Sequence, residues 1–480
     1  MVHSSIGNFG SKKSEQSRFQ AFPNRFVAVT GCVLASSAGL SLPSLGADLE
    51  SFKVGASQID ISTRDVMAMG GYGTYFLKTP RLNQAGVHDP LLASAVAFES
   101  VSGQKAAVVV LDVVGLSAAQ ISRIEQAARQ AVDPQLSLII SATHTHHSPD
   151  TLGLWGSLPK SGRNKRYAEQ IETAALQAVR DAFARLEPAR VTQRLGRHAN
   201  STSALTNPQE VQDAFTSLAF YSTRDDHLIG TLTQWAAHPT VLGMENNALS
   251  SDFVGGFRRS MERLIGPGPH VYVNGIMGKV YPNVPPEGDP DVVDDLFPEG
   301  DRDPDVKDGY RKASTVGFRL AQSVARASEE AGEFSSAGVA VCHVPVAFPV
   351  DNKLFKLAST LKVVETRVKG GTIGSRVSTL SVGNLVFTSI PGEVFPKVVR
   401  NLDSAVFAGR QPVWMGLGQD WLGYFVDPED YEKPDLKYWT DLSVHRDGAP
   451  VLLSALDKAL KGEGCKNMQP IEPPEDESAD

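Results

Sequence analysis

A continuous apolar, valine-rich run over residues 106–116 (AAVVVLDVVGL) constrains the fold of this chain more than any other feature. Such a run is typical of a strand that is buried on both faces of a sheet. Ser117 follows it and can cap a helix over residues 118–132, which Pro134 would end. Residues 136–142 (LSLIISA) then form a second buried strand. Strand, helix and strand at this spacing predict a parallel βαβ unit.

Weaker patterns along the rest of the chain predict the other elements. An amphipathic helix is expected over 164–186, strands over 228–237, 271–274 and 338–348, a helix that opens at Ser251-Asp252, and another over 310–332. Residues 372–381 and 385–390 predict a hairpin that turns at Gly383-Asn384, and the Pro-, Gly- and Asp-rich stretch 284–307 predicts a surface loop. The chain is therefore expected to be an α/β protein. Its core would be a mixed sheet with βαβ units and a hairpin-rich second half, in a single large domain of about 400 residues.

The N-terminal segment has the pattern of a secretory signal. Basic residues up to Arg25 precede a charge-free, weakly apolar run over 26–45, and small residues follow as far as Ala47. This pattern predicts a signal peptide over residues 1–47 and a secreted or periplasmic protein. A membrane anchor and a lipoprotein site at Cys32 are the alternatives. Residues 48–465 are predicted to form the folded domain, and the acidic stretch 466–480 is predicted to be a disordered tail.

Charge and cysteine content exclude several classes of protein. The 46 Lys and Arg residues against 54 Asp and Glu residues give a net charge of -8, which argues against a nucleic-acid partner. No run beyond the N-terminal segment has 18 apolar residues, so no membrane span is predicted in the mature chain. Besides Cys32, only Cys342 and Cys465 occur, which are too few for a zinc site of the multiple-cysteine kind. They could form one disulfide if the fold brings them together.

Histidines cluster directly after the second buried strand, in residues 142–150 (ATHTHHSPD). Because side chains alternate along a strand, His144 and His146 are expected to point to the same side. Two imidazoles at a strand end can share a metal, or one can bind the metal while the other contacts a substrate. A polar loop without a chemical role is the alternative.

Two further strand ends carry side chains of the same chemistry. His238 ends a strand in QWAAHPTV, and Glu393 follows Pro391-Gly392 in FTSIPGEVF. Alone, each has an ordinary structural explanation. Together with His144 they are the ligands of a catalytic zinc site that leaves a position open for water. The sequence contains no G-x-S-x-G elbow, no H-E-x-x-H helix and no G-x-x-x-x-G-K-[ST] phosphate loop.

Ten short motifs, some of which include these residues, follow one another along the chain in a characteristic order. They are VGASQID (54–60), MGGY (69–72), HDPL (88–91), LDVVGLS (111–117), ATHTHHSP (142–149), AHPT (237–240), SDFVG (251–255), NGIMGKVYPN (274–283), PGE (391–393) and LGYFVDPEDY (422–431). Their order resembles the neutral/alkaline non-lysosomal ceramidase family, over most of residues 52–440 and in the N-terminal catalytic domain of that family. No single motif is decisive, but their common order across nearly 400 residues carries the resemblance.

The resemblance implies an exported zinc-dependent amidase. Such an enzyme would cleave the amide bond of ceramide (N-acylsphingosine), or of a similar N-acyl lipid at a membrane surface, to a fatty acid and an amine by zinc-activated water. Carried over by motif, His144, His238, Glu393 and Tyr424 would bind Zn²⁺, and His146 would be the catalytic residue that contacts the substrate. For Tyr424 the alternative is a packed aromatic ring, because other tyrosines lie close to it in the sequence.

One segment departs from the family pattern. Where the family usually reads Gly-Asp-Val-Ser-Pro-Asn, this chain has Lys279 in place of the acid and Tyr281 in place of the serine. A phenol has a pKa of about 10 and a large ring, so it cannot replace a small hydroxyl directly. We expect Tyr281 to line the active site and to affect substrate choice. The alternatives are a zinc hydrolase of another amide, ester or lactone, and a catalytically degenerate surface binding protein.

Overall fold

A computed structural model describes residues 51–73, 79–157, 159–204, 210–286, 304–331, 338–400 and 402–466. The predicted signal peptide over 1–47 lies outside the described residues. So does the predicted acidic tail, apart from its first residue. Both stay predictions, as does the boundary of the folded domain.

Strands outnumber helices in the described part of the chain. The strands are β1 (Lys53–Asp60), β2 (Leu92–Glu99), β3 (Lys105–Leu111), β4 (Ser137–Ala142), β5 (Glu187–Arg197), β6 (Thr202–Ala204), β7 (Ala214–Ser222), β8 (Leu228–Trp235), β9 (His270–Asn274), β10 (Val280–Pro282), β11 (Glu329–Ala331), β12 (Val339–Pro349), β13 (Thr372–Val382), β14 (Leu385–Ser389), β15 (Glu393–Val394), β16 (Gln411–Met415) and β17 (Tyr424–Phe425). The α-helices are α1 (Ala118–Ala131), α2 (Lys165–Ala184), α3 (Phe253–Leu264), α4 (Pro304–Arg326), α5 (Lys353–Thr360), α6 (Pro396–Arg400), α7 (Lys437–Asp441) and α8 (Gly448–Lys461), and short 3₁₀ turns cover Ser404–Phe407 and Pro434–Leu436.

The predicted βαβ unit is confirmed. β3 and β4 are parallel neighbours, and Val109 lies opposite Ile140. The Ser117 hydroxyl accepts a hydrogen bond from the Gln120 backbone N–H, and the Gln120 side chain accepts one from the Ser117 N–H, so a capping box starts α1. The unit fixes the direction of β4, and therefore the edge of the sheet at which residue 144 emerges.

Two sheets form the centre of the fold. In the described part of the chain the larger sheet has the order β4-β3-β2-β1-β5-β7-β8-β9, with β11 paired to β5, and the smaller has the order β12-β13-β14-β16. The larger sheet is mixed: β3–β4 and β8–β9 are parallel, whereas the other neighbours are antiparallel. The predicted hairpin between β13 and β14 is confirmed as an antiparallel pair.

The two sheets pack face to face. Side chains such as Phe98 and Val110 from the larger sheet share one buried cluster with Leu380 and Phe387 from the smaller. The Phe98 and Phe387 ring centroids lie 6.4 Å apart. Replacing such a fully buried ring by alanine typically costs about 3–5 kcal/mol of unfolding free energy. This interface therefore fixes the position of β14, and of the segment after it that carries Glu393.

Helices cover the outer faces of both sheets. Alternate residues of β2, including Ala95 and Ala97, point away from the sheet interface into the cluster that contains Ile171 of α2. Tyr272 of β9 likewise packs against α3 and α4. On the other side, Leu452 of α8 lies in a cluster with residues of β12 and β13. The layers are helix, sheet, sheet and helix, which confirms the predicted α/β class.

The helix predicted over residues 310–332 was wrong at both ends. α4 begins at Pro304, inside the stretch predicted to be a loop, and ends at Arg326 rather than near residue 332. Proline is favourable in the first turn of a helix, so it did not mark a loop there. At the other end β11 pairs with β5, where the Glu329 carboxylate accepts hydrogen bonds from Thr192 and Arg194. Residues 287–303 lie outside the described residues.

Cys342 and Cys465 form a disulfide, the pairing that the sequence left open. It joins β12 to the residues just after α8 and closes a loop with a sequence separation of 123. Among the described residues, none of the helices combines the length and the apolar character needed to cross a membrane.

Removal of the disulfide is expected to destabilise the fold without abolishing it. The variant Cys342→Ser/Cys465→Ser should lose about 2–4 kcal/mol of unfolding free energy, because the cross-link restricts the unfolded chain over a long loop. Equilibrium denaturation in urea, with and without a reductant, measures this loss. The reduced parent protein is the control and should match the variant. An identical urea midpoint for the oxidised parent and the variant would contradict the expectation.

Candidate metal centre

The predicted histidines and Glu393 meet where strands of the two sheets end. His144 follows β4 by two residues and His238 follows β8 by three, while Glu393 begins β15. The backbone φ of His144 is 69°, in the left-handed region that few residues other than glycine adopt. Such strained residues concentrate at functional sites, since the surrounding structure must hold them there.

The Glu393 carboxylate lies between the two imidazoles. Its Oε2 atom is 3.0 Å from the Nε2 atom of His238 and 3.3 Å from the Nε2 atom of His144. All three residues are at most 2% exposed. Burial alone would raise the pKa of Glu393, but the imidazoles of His144 and His238 lower it well below its ordinary value. These neighbours therefore favour the charged carboxylate, in a place where a charge needs a partner.

Backbone carbonyls orient the same two histidines. The Nδ1 atom of His144 is 2.5 Å from the Val114 carbonyl oxygen, and the Nδ1 atom of His238 is 2.9 Å from the Val280 carbonyl oxygen. A carbonyl only accepts, so both Nδ1 atoms carry a proton, and both Nε2 atoms face Glu393. Two imidazole nitrogens and a carboxylate at this distance require a cation that they share, either a proton or a metal. The donor set and the outer carbonyls fit a metal site of the kind that neutral imidazoles build.

His146 lies beside this pair but lacks an orienting partner. Its Nε2 atom is 3.2 Å from the Nε2 atom of His144, and its buried Nδ1 atom has no hydrogen-bond partner among the described residues. Burial, and then the imidazoles of His144 and His238, lower its pKa well below the ordinary value. Ring nitrogens of these three residues lie within 4.8 Å of one another, so the cluster itself also permits His146 as a ligand. The missing anchor distinguishes it from the other two.

The second oxygen of Glu393 is held by Trp421. The indole N–H of Trp421 donates to Oε1 at 3.0 Å, which leaves Oε2 for the histidines. Trp421 was not among the residues predicted from the sequence. A usable signal existed, since a buried indole N–H needs an acceptor and Trp421 lies only three residues before Tyr424.

Tyr424 lies next to Glu393 because β15 and β17 are parallel and the two residues are directly opposite each other. It is buried, and burial followed by the charge of Glu393 raises its pKa well above the ordinary value. Of the tyrosines that competed with it in the sequence, Tyr431 donates to the Thr440 carbonyl away from this pair, and Tyr438 is 42% exposed. The structure therefore brings the predicted tyrosine to the carboxylate, while its role as a ligand stays a prediction.

Tyr281 also lies in the site. Its ring stacks on the His238 imidazole, with centroids 4.7 Å apart and an interplanar angle of 18°. Burial, and then the charge of Glu393, raise the pKa of its phenol. The structure thus brings the six predicted residues together, and their individual roles remain to be tested.

Asn274 is a second residue that the sequence alone did not single out. Its fully buried amide group donates to the carbonyls of Thr143 and Ala237, at 3.0 and 2.8 Å, directly before His144 and His238. One side chain at the end of β9 therefore ties the two histidine loops together. It belongs to a motif of the sequence, but no local pattern indicates which carbonyls an asparagine will reach.

Tyr72 and Gly71 pack against His146. The Tyr72 ring meets the imidazole edge-on, with centroids 4.7 Å apart. A Cβ atom at position 71 would lie 2.3 Å from the His146 ring, so only glycine fits this approach. The His146 ring is therefore held by packing rather than by a hydrogen bond from its Nδ1 atom.

Comparison with known proteins finds one family match and solved structures of similar fold. Residues 52–271 match the family described as neutral/alkaline non-lysosomal ceramidase, N-terminal. The crystal structure of neutral ceramidase from Pseudomonas aeruginosa is similar, with a TM-score of 0.68 at 16% identity, over 86% of this chain and 74% of that chain. A structure of ceramidase complexed with C2 gives a TM-score of 0.67 at 16% identity, over 86% and 75%. No curated protein sequence matches the chain. The structural likeness supports the fold.

The geometry predicts that the protein binds about one divalent metal ion per chain. Elemental analysis of the purified protein should find this metal, and His144→Ala or His238→Ala should remove it, because each deletes one of few ligands. His227→Ala is the control, since His227 is exposed and pairs with Asp225 and Glu187. Metal at full occupancy in both site variants would contradict the assignment.

Proposed function

The chain belongs to the neutral/alkaline non-lysosomal ceramidase family, and from this premise we propose that it is a zinc-dependent amidohydrolase. Its substrate would be ceramide or a similar N-acyl lipid. The reaction adds water across the amide bond and releases a fatty acid and an amine. The observation that carries the proposal is the contrast among the histidines. Backbone carbonyls anchor His144 and His238 at Nδ1, whereas the His146 Nδ1 atom has no such partner in the part of the chain that the structure describes.

In this proposal His144, His238, Glu393 and Tyr424 hold the zinc ion. A bound zinc ion supplies Lewis-acid chemistry, because it lowers the pKa of water toward about 7 and polarises an amide carbonyl. Trp421 and the Val114 and Val280 carbonyls keep the ligand atoms oriented. Such outer partners usually matter nearly as much as the ligands themselves.

His146 would handle the proton. Its Nε2 atom faces the ligand cluster, so the neutral ring can take a proton there while water attacks the amide carbon. The same atom can then deliver the proton to the departing amine nitrogen. An alternative task for this imidazole is to donate to the developing oxyanion, and both tasks require that it not be a metal ligand.

Tyr281 would narrow the substrate site. Its ring covers one face of the His238 imidazole, so less room is left beside the ligands than a serine at this position would leave. Its hydroxyl can donate a hydrogen bond to charge that develops on the substrate. We therefore propose that this chain accepts N-acyl compounds of smaller cross-section than an enzyme with serine there.

We also propose that the protein is exported. The signal-like pattern of residues 1–47 supports this proposal. So does the disulfide between Cys342 and Cys465, because disulfides persist in oxidising compartments.

A hydrolysis screen tests the proposed activity. The purified protein should release amine from ceramides or smaller N-acyl amines, lose this activity with a chelator and regain it with zinc. His146→Ala should keep its zinc but lose about 10²–10⁴-fold in rate, as expected on removal of a positioned acid–base or oxyanion group.

Each other outcome of the screen favours a different function or a different role for His146. Hydrolysis of esters or lactones without amide cleavage would favour the rival zinc hydrolase. A metal-loaded protein without any turnover would favour a binding protein. Loss of zinc from His146→Ala would assign that residue to the metal instead.

Substitution of Tyr281 tests the proposed substrate restriction. Tyr281→Phe should lower the rate by up to about 10²-fold if its hydroxyl stabilises charge in the transition state, with zinc retained. Tyr281→Ser should shift the ratio of kcat/KM values toward bulkier N-acyl lipids. Steady-state kinetics on a matched pair of slender and bulky substrates measures both effects. Parent-like kinetics for both variants would reduce Tyr281 to a packing residue.

A further inference from the structure

A buried ion pair lies behind the candidate metal centre. The Nζ atom of Lys279 is 3.4 Å from the Oε1 atom of Glu210, and both side chains are 2% exposed. Removing two charges from water costs several kcal/mol per ion, and their attraction seldom returns more than this. A gain in stability is thus a weak explanation for why the pair is buried. Its position beside the candidate metal centre suggests a different role.

The backbone at Lys279 is strained. Its φ is 56°, a conformation that costs about 1–2 kcal/mol for a residue with a side chain. The preceding Gly278 donates its N–H to the Val394 carbonyl at 2.9 Å and packs so closely that a Cβ atom would lie 2.6 Å from Val394. The chain therefore makes its sharp turn while pressed against β15, the strand that begins with Glu393.

The residue directly after this turn orients a candidate ligand. The Val280 carbonyl accepts hydrogen bonds from the backbone N–H of His238 at 3.0 Å and from its Nδ1 at 2.9 Å. A change in the turn would move this carbonyl and release the His238 ring. Tyr281, the next residue, stacks on the same ring.

Lys279 also contacts the segment that carries the carboxylate. Its Nζ atom lies 4.8 Å from the centroid of the Phe395 ring, a cation–π distance. Phe395 follows Glu393 by two residues and donates its N–H to the Phe425 carbonyl at 3.1 Å. One ammonium group therefore touches both Glu210 and the strand pair that holds Glu393 and Tyr424.

We propose that the Lys279–Glu210 pair positions the metal centre by fixing the Val280 carbonyl against His238. Lys279 is a positioning residue in this proposal and does not touch the substrate. An acid at position 279 would face the Glu210 carboxylate in a buried place, so a lysine is matched to Glu210 at this position. The inference rests on the metal site of the proposed function, and it adds two residues to its support.

Cobalt binding to the full-length protein tests the pair without relying on activity. Lys279→Met and Glu210→Gln should each raise the Co²⁺ dissociation constant by about 10–100-fold, as expected when an outer partner of a metal ligand is lost. Both should also alter the visible absorption spectrum of bound Co²⁺. Glu210→Asp keeps the negative charge, but its side chain is one methylene shorter and moves the carboxylate away from Lys279. It should bind Co²⁺ more weakly than the parent even if the other variants fail to fold.

The double variant Lys279→Met/Glu210→Met separates positioning from stability. It removes both charges of the pair together, so its melting temperature should recover toward that of the parent, while its Co²⁺ affinity should not. Glu329→Gln is the control, because it breaks the Glu329–Arg194 pair that joins β11 to β5, and neither strand carries a site residue. It should lower the melting temperature and leave the Co²⁺ affinity of the folded protein unchanged.

Two results would overturn the inference in different ways. If the double variant and Glu210→Asp bind Co²⁺ with the affinity and spectrum of the parent, the pair is structural only and the proposed function is unaffected. If the parent itself binds no Co²⁺ or Zn²⁺, the proposed metal site fails and this inference fails with it.

Discussion

The buried carboxylate of Glu393 is the constraint on which the rest of this site depends. A charge removed from water requires compensation, and this one faces the Nε2 atoms of two imidazoles whose Nδ1 atoms are bonded to backbone carbonyls. A shared cation, either a proton or a metal ion, stabilises that arrangement. The carbonyl anchors of His144 and His238, and the indole N–H of Trp421, act to keep the acceptors aimed at one another.

The layered architecture explains how the parts of the site reach one place. The larger sheet supplies His144 and His238 at the ends of two strands, each of which has a parallel neighbour. The segments around the smaller sheet supply Glu393 and Tyr424 through the short parallel pair of β15 and β17. Because the sheets pack face to face, the distance between the two halves of the site is set by the core rather than by loops.

The sequence predicted what depends on local pattern. The βαβ unit follows from two apolar runs, and the candidate ligands follow from three strand ends that carry His, His and Glu, the donor types of a zinc site. The pairing of Cys342 with Cys465 and the contact between the sheets depend on distant segments, so they had no local signal. Asn274 was missed for the same reason, and the signal at Trp421, its closeness to Tyr424 in sequence, did not indicate which acceptor the indole would reach. Their partners are a carboxylate and two backbone carbonyls from other parts of the chain.

The wrongly predicted end of α4 shows a related limit of prediction from sequence. Helical periodicity cannot register that residues 329–331 leave the helix to pair with β5. Neither the sequence pattern nor the fold shows the chemical role of each side chain, which depends on the contacts of individual atoms. His144 and His146 lie two positions apart and their Nε2 atoms are 3.2 Å apart, yet among the described residues a carbonyl holds the Nδ1 atom of His144 and none holds that of His146.

The wide spacing of the site along the chain has a consequence for the order of folding. His238 and Glu393 are 155 positions apart in sequence, and they meet only through the docking of both sheets. Contacts of such long range form late, because the entropy of closing the intervening chain must be overcome first. The ligand cluster therefore cannot serve as an early folding nucleus. An ion that binds at this site enters a nearly finished protein, so the apo form must be stable enough on its own to wait for it.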